Sequence, residues 1–213
     1  MPKRSAKVAA VGITPEQFRQ LTDRVTKGPK HHATPASQND PQPESLVGRL
    51  VLGVDPSLRG TGFGIILVQR PTSQAVVHGR ISCPASWPRS RCLAKISVTL
   101  RDLIHTHKPY ICAIEGLFFA QNLQTALIMG EARGAALSPI AEAGLNIFEV
   151  APRKMKQAIV GYGAAQKSAV AKMVQRMLQL SEEPDPDAAD ALALALTLVQ
   201  EQNPFSLSKP RKV

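Results

Sequence analysis

The chain has 213 residues, of which 44% are hydrophobic and 20% charged. These proportions are typical of one soluble globular domain with tails. No segment approaches the roughly 18 uninterrupted apolar residues that a membrane span requires, and the longest apolar run, 191–199, predicts a buried helix. Cys83, Cys92 and Cys112 show no CxxC spacing, so we expect buried free thiols in a reducing compartment rather than disulfides or a zinc site.

Basic and acidic residues are segregated along the chain. The formal net charge of +10 favours a polyanionic partner. Residues 56–101 contain seven basic residues and no acidic one, and residues 150–180 contain six and none. A nuclease needs such basic surfaces around a small acidic centre, and the alternative is lysines and arginines that are only solvated.

Residues 1–48 are predicted to be an extension outside the folded domain. Four prolines and few large apolar residues in 28–45 indicate a linker or disorder. Upstream, residues 14–17 (TPEQ) resemble a capping box with proline at the first helical position. They predict a short helix that docks on the core, engages a partner or frays, with an apolar face formed by Phe18, Leu21 and Val25.

Residues 49–202 alternate strand and helix patterns. Three β-rich runs (RLVLGVD, GFGIILVQ and AVVHGRIS) predict a meander. Helical spacing follows over 89–107, then the strand YICAIE, a helix from about 123 to 143, the strand NIFEV, and further helices ending in DAADALALALTLV. The order predicts an α/β fold with a mixed five-stranded sheet flanked by helices. Residues 203–213 are predicted to be a basic C-terminal tail.

Four carboxylates stand where this fold would bring them together. Asp55 and Glu115 end apolar strands, and ligands of α/β sheets gather at strand ends. Asp187 and Asp190 lie three residues apart at the start of an apolar helix, and therefore on one face. Crowded carboxylates repel unless cations hold them, so hard divalent ions are their natural occupants. Two such ions can clamp a phosphodiester, one activating water and the other stabilising the leaving oxygen.

Asp55 and Asp187 also have purely structural explanations. Asp55 before Pro56 is typical of a turn, and Asp187 is typical of a helix N-cap. Glu115 resists such an explanation, because a carboxylate at the end of an apolar strand is costly to bury without a partner. The combination of the four acids carries the inference.

Four motifs resemble one known family. The motifs are VLGVDPSLRGTGFGII, CAIEGLFFAQN, RKMKQAIVGYGAAQKSAV and PDAADALALALT. In order and spacing they resemble the RuvC family of Holliday-junction resolvases, which have the RNase H-like fold, over about 49–200. The resemblance implies that Asp55, Glu115, Asp187 and Asp190 are catalytic ligands of Mg²⁺, with two ions per site and Mn²⁺ as a substitute. Some relatives have histidine at the position of Asp187.

The resemblance also implies DNA contacts. Phe118 matches an aromatic residue that the family inserts near the crossover, where it would stack on an unpaired base; core packing is the alternative. The glycine-punctuated loop 161–163 either brings backbone close to DNA or ends a helix. The candidate phosphate contacts are Lys156 and Lys167, which match two family lysines, and beside them Arg153 and Lys154.

The function expected from this resemblance is a structure-selective endonuclease that resolves four-way DNA junctions by symmetric nicking in recombination and repair. Family members act as homodimers, which suits a four-way junction, and the apolar helix 125–140 is a candidate interface. We also expect a branch-migration helicase partner and a cytoplasmic, nucleoid-associated bacterial location rather than organellar targeting. Two features depart from the family, the N-terminal extension and Gly116 after Glu115.

Three other functions compete with this one. A junction-binding protein without nuclease activity would keep the basic surfaces but has no need of all four acids. An actin-like phosphotransferase is suggested by DPSLRGTGFG, but the core lacks room for two lobes. A related nuclease would act on flaps or RNA hybrids.

Overall fold

The computed structural model describes Glu16, Arg19 and residues 45–116, 122–202 and 211–213. The chain forms two compact units, 1–42 and 43–213. Glu16 and Arg19 are helical and exposed, and the rest of the short helix predicted near residue 15 lies outside the described residues.

A mixed sheet forms the centre of the second unit. Its strands in chain order are β1 (Leu50–Asp55), β2 (Gly60–Leu67), β3 (Gln74–Ser82), β4 (Ile111–Glu115), β5 (Asn146–Val150) and β6 (Arg211–Lys212). They lie side by side as β3-β2-β1-β4-β5-β6. The first three strands form the predicted antiparallel meander, and β4 and β5 add to β1 in parallel.

The number of strands differs from the prediction by one. Part of the expected basic tail forms β6, which pairs antiparallel with β5. Two charged residues show no strand pattern of their own, so this pairing depends on the free edge of β5. The RNase H-like α/β fold predicted from the sequence is otherwise confirmed.

Among the residues that the structure describes, five helices cover the sheet. They are α1 (Arg89–His107), α2 (Leu123–Glu142), α3 (Pro152–Val160), α4 (Lys167–Leu178) and α5 (Pro186–Glu201). Across the described ranges, none of the helices has both the length and the apolarity needed to cross a bilayer. The three cysteines are free and buried, as predicted.

Successive side chains along a strand point to opposite faces of the sheet, so the core is divided into two layers. Leu52 and Val54 of β1 point to one face and pack with residues of α1 and α2. Val51 points to the other face and packs with residues of α3, α4 and α5. Helix α5 is buried along almost its whole length, because its sequence is largely alanine and leucine. Each buried leucine contributes roughly 2 kcal/mol of hydrophobic stabilisation.

Glycines let α5 lie directly against the sheet. A Cβ at Gly53 of β1 would overlap the carbonyl of Ala191, and one at Gly62 of β2 would overlap the carbonyl of Asp187. Both positions therefore need the missing side chain for space. The close approach brings the beginning of α5 to the ends of β1 and β4.

The contact between β1 and α5 can be tested by glycine substitution. We expect Gly53→Ala to lower the free energy of unfolding by about 1–3 kcal/mol, because the new methyl group overpacks the interface. The matched control is Gly134→Ala inside α2, where a Cβ would meet open space. This control should raise stability by about 0.5–1 kcal/mol through helix propensity. Urea unfolding followed by circular dichroism measures both, and a neutral Gly53→Ala would contradict the packing.

Candidate active site

The end of the central strands carries two adjacent carboxylates. Asp55 ends β1 and Glu115 ends β4, and parallel pairing sets Val54 opposite Ile114 one residue earlier. The two carboxyl groups hydrogen-bond to each other. The turn that follows β1 is closed by Thr61, whose hydroxyl donates to the Ser57 carbonyl at 2.6 Å.

The first turns of α5 supply the other two acids. The N-cap of this helix is Asp185, whose Oδ1 accepts the backbone N–H of Asp187 at 2.9 Å. The capping role considered for Asp187 therefore belongs to Asp185. Asp190 is only 5% exposed, and its Oδ1 has no hydrogen-bond partner among the described residues. Such a buried unpaired oxygen is costly without a cation.

Two cations contact the acids. Arg80 of β3 places its Nε 2.9 Å from Asp187 Oδ2. The Lys167 ammonium, at the start of α4, lies 3.4 Å from Asp187 Oδ1 and 3.2 Å from Asp190 Oδ2. Lys167 thus bridges Asp187 and Asp190, and Arg80 adds a second contact to Asp187.

Burial dominates the electrostatics of the cluster. Desolvation, then the charge of Asp55, raises the pKa of Glu115 from 4.5 to about 8. Desolvation likewise raises the pKa of Asp55 and of Asp190. Partial burial acts to lower the pKa of Lys167, but the neighbouring carboxylates, Asp190 above all, outweigh it and raise that pKa. Without a bound cation, Glu115 is therefore protonated at neutral pH and donates to Asp55.

A buried ion pair supports the end of β4. Arg133 of α2 donates to the backbone carbonyl of Glu115 and pairs with Glu149 at 2.6 Å. Arg133 is almost fully buried, so its charge requires these partners. A Cβ at Gly116 would lie 3.1 Å from Glu149 Cγ and Oε1. The departure at Gly116 therefore leaves space for the Glu149 side chain.

The candidate phosphate contacts are placed differently from one another. Lys167 lies among the acids, and the charge of Lys156 acts to lower the pKa of Asp190, so it is also near the site. Lys154 instead forms an ion pair of 2.7 Å with Glu201. Arg153 is exposed and packs beside Gly163. Phe118, the expected base-stacking residue, lies outside the described residues.

Sequence reasoning missed Arg80, Arg133, Glu149 and Asp185 as residues of this site. Arg80 lies in register with Gly62, and Gly62 with Asp55, across three neighbouring strands. Glycines inside a strand indicate close approach of another group. The glycines of GTGFG were therefore the sequence signal that could have indicated a side chain, here Arg80, crossing this strand.

The donor set fits a hard divalent cation. Carboxylate oxygens are the ligands that Mg²⁺ prefers, and Asp190 Oδ1 is an acceptor that needs a cation. Within the ranges that the structure describes, no three or more His, Cys, Asp or Glu side chains stand ready to hold an ion. Asp187 is already engaged by Arg80 and Lys167. A cation would have to displace these side chains to gain that ligand.

Fold and site together define an RNase H-like domain. A family model described as crossover junction endodeoxyribonuclease RuvC matches residues 51–198. RuvC of Akkermansia muciniphila is 41% identical over 155 residues, covering 73% of this chain and 93% of the relative. RuvC of Coxiella burnetii is 46% identical over 142 residues, covering 67% and 82%.

Solved structures agree with these relatives. Thermus thermophilus RuvC in complex with Holliday junction substrate superposes with a TM-score of 0.69 at 29% identity, covering 78% of this chain and 99% of that one. The yeast mitochondrial Holliday junction resolvase superposes with a TM-score of 0.53 at 10% identity, covering 74% and 82%, and shows the fold alone. The chain belongs to the RuvC family of crossover junction endodeoxyribonucleases.

The raised pKa values predict a pH-dependent stability. An acid whose pKa is raised by folding contributes stability that is full below its unfolded pKa and is lost as pH rises through the folded value. For Glu115 that window runs from 4.5 to about 8. In EDTA, we therefore expect the free energy of unfolding to fall from about pH 5 to about pH 9.

Two variants test the origin of this loss. Glu115→Gln should flatten the pH dependence, because the amide stays neutral. Asp102→Asn on the exposed side of α1 should keep the wild-type slope. Urea unfolding across the pH series measures both, and an unchanged slope in Glu115→Gln would contradict the assignment.

Proposed function

We propose that this protein resolves Holliday junctions by hydrolysing phosphodiester bonds with divalent metal ions, in DNA recombination and repair. The single observation that carries the proposal is the convergence of Asp55, Glu115, Asp187 and Asp190 on one face of the sheet. Membership of the RuvC family supports the same activity, since its relatives are crossover junction endodeoxyribonucleases. The solved complex of the Thermus relative with a Holliday junction supports this substrate.

The acids are the groups that would hold the metal. Asp55, Glu115 and Asp190 would bind Mg²⁺, with Asp187 as a fourth ligand and Mn²⁺ as a substitute. Two ions would supply an activated water and stabilise the leaving oxygen. Burial of the carboxylates strengthens their hold on a cation, because the surrounding dielectric is low.

Basic residues around the acids would bind the DNA. Lys156 and Lys167 stand close to the carboxylates, so they are well placed to neutralise the phosphates beside the scissile bond. Arg153 is exposed nearby and remains a candidate contact. Lys154 is a weaker candidate, because Glu201 already neutralises its charge. Phe118 would stack on a base at the opened crossover.

A homodimer would let two such sites nick the junction symmetrically. The first turns of α2 expose apolar side chains, with Leu123 exposed by 76% and Leu127 by 59%. This surface supports the helix 125–140 as part of the dimer interface. We further propose a branch-migration helicase as a partner and action in the bacterial cytoplasm at the nucleoid.

Removal of one acid separates cleavage from binding. We expect Asp55→Asn to cut a synthetic four-way junction at least about 100-fold more slowly, because the amide is a poor metal ligand, while it still binds the junction. The assay compares initial rates in Mg²⁺ and binding in Ca²⁺ or EDTA. Linear duplex, flap and RNA–DNA hybrid substrates test the competing nuclease functions.

The matched control is Asp102→Asn. Asp102 lies in the second half of α1, which leads into the start of β4, whereas the acids lie at the end of that strand. It should cleave at the wild-type rate. Equal cleavage by Asp55→Asn and wild type would overturn the metal-site proposal. Junction binding without cleavage by the wild type would favour the inactive junction-binding protein.

Phosphate contact by Lys156 predicts a change in salt dependence. Loss of one phosphate contact makes the negative slope of log K against log salt shallower by about 0.9. We expect this change for Lys156→Gln in junction binding measured by fluorescence anisotropy. Lys108→Gln, beyond the end of α1, should leave the slope unchanged. An unaltered slope in Lys156→Gln would remove Lys156 from the DNA contacts.

A further inference from the structure

Arg80 reaches the acid cluster across a neighbouring strand. It lies in the edge strand β3 opposite Gly62, and its Nε is 2.9 Å from Asp187 Oδ2. A Cβ at Gly60 would lie 2.5 Å from Arg80 Nε and 2.8 Å from Asp187 Oδ2. The ion pair therefore occupies the space that any side chain at Gly60 would fill.

The pairing makes the four acids unequal. Both oxygens of Asp187 face cations, Oδ2 facing Arg80 and Oδ1 facing Lys167. Asp190 has one oxygen facing Lys167 and the other without a hydrogen-bond partner among the described residues. Asp55 and Glu115 hydrogen-bond to each other. Asp187 is thus the acid whose charge is most fully neutralised by protein groups.

We propose that Arg80 is a positioning residue that withholds Asp187 from the divalent cation and so sets the metal affinity of the site. This inference rests on the proposed metal-dependent function. A cation that binds Asp187 must break the contact with Arg80, and the free energy of that contact is subtracted from the binding free energy of the ion. Arg80 is 43% exposed, so its guanidinium can turn to solvent when it is released.

The geometry distinguishes this role from general stabilisation of the fold. Arg80 pairs with the side chain of Asp187, and the helix already has Asp185 as its N-cap. Loss of Arg80 therefore leaves the capping of α5 intact and frees one carboxylate. A merely structural ion pair would alter unfolding but would leave metal binding unchanged.

Metal titration of the full chain without DNA tests the proposal. The probe is Mn²⁺, followed by electron paramagnetic resonance of the free ion and by calorimetry. We expect Arg80→Gln to bind Mn²⁺ about three- to tenfold more tightly than wild type, as for the loss of one partly exposed ion pair. Circular dichroism confirms that each variant is folded.

One further variant makes the test specific. Arg101→Gln removes a comparable exposed pair of 2.9 Å with Glu142 in α2 and should have wild-type affinity.

The outcomes distinguish failure of the role of Arg80 from failure of the proposed metal-dependent function. Unchanged or weaker Mn²⁺ binding in Arg80→Gln overturns the role of Arg80. Equally tighter binding in Arg80→Gln and in Arg101→Gln also overturns it, because the effect is then one of net charge alone. If the wild type shows no Mn²⁺ binding that Asp55→Asn abolishes, the proposed metal-dependent function itself fails.

Discussion

The concentration of negative charge beneath the first turns of α5 is the constraint on which the rest of the site depends. Carboxylates this close repel one another, and burial removes the water that would screen them. The protein limits the resulting cost in three ways. Glu115 keeps its proton and shares it with Asp55, Lys167 lies between two aspartates, and the partly positive helix N-terminus faces the cluster.

The surrounding architecture serves this arrangement. Glycines in β1 and β2 allow α5 to approach the sheet so closely that acids from a helix meet acids from strands. Asp185 caps the helix, which releases Asp187 from that role. Arg133 fixes the end of β4, because it donates to the carbonyl of Glu115 and forms an ion pair with the carboxylate of Glu149. The crowded carboxylates destabilise the fold, and the packing of the two core layers around them offsets this cost.

Family membership and physical geometry contribute different things. The relatives establish the class of enzyme, because their similarity extends over the whole domain. The contacts show which charges are paired in this chain. Arg80 and Lys167 neutralise Asp187, and Glu201 neutralises Lys154. Asp187, Lys154 and Lys167, all expected to have free charges, are therefore already paired. The ion pairs make the four acids unequal.

The sequence by itself determined the first five strands, the long helices and the positions of the four acids, because hydrophobic period, turn residues and motif spacing are local properties. Only the tertiary structure decided which charges meet. Arg80 and Asp187, Arg133 and Glu149, and Lys154 and Glu201 are distant in sequence, and no periodic pattern links them. The pairing of β6 with β5 likewise depends on a sheet edge that exists only after folding. Such contacts arise because packing, rather than local preference, sets which side chains share a space.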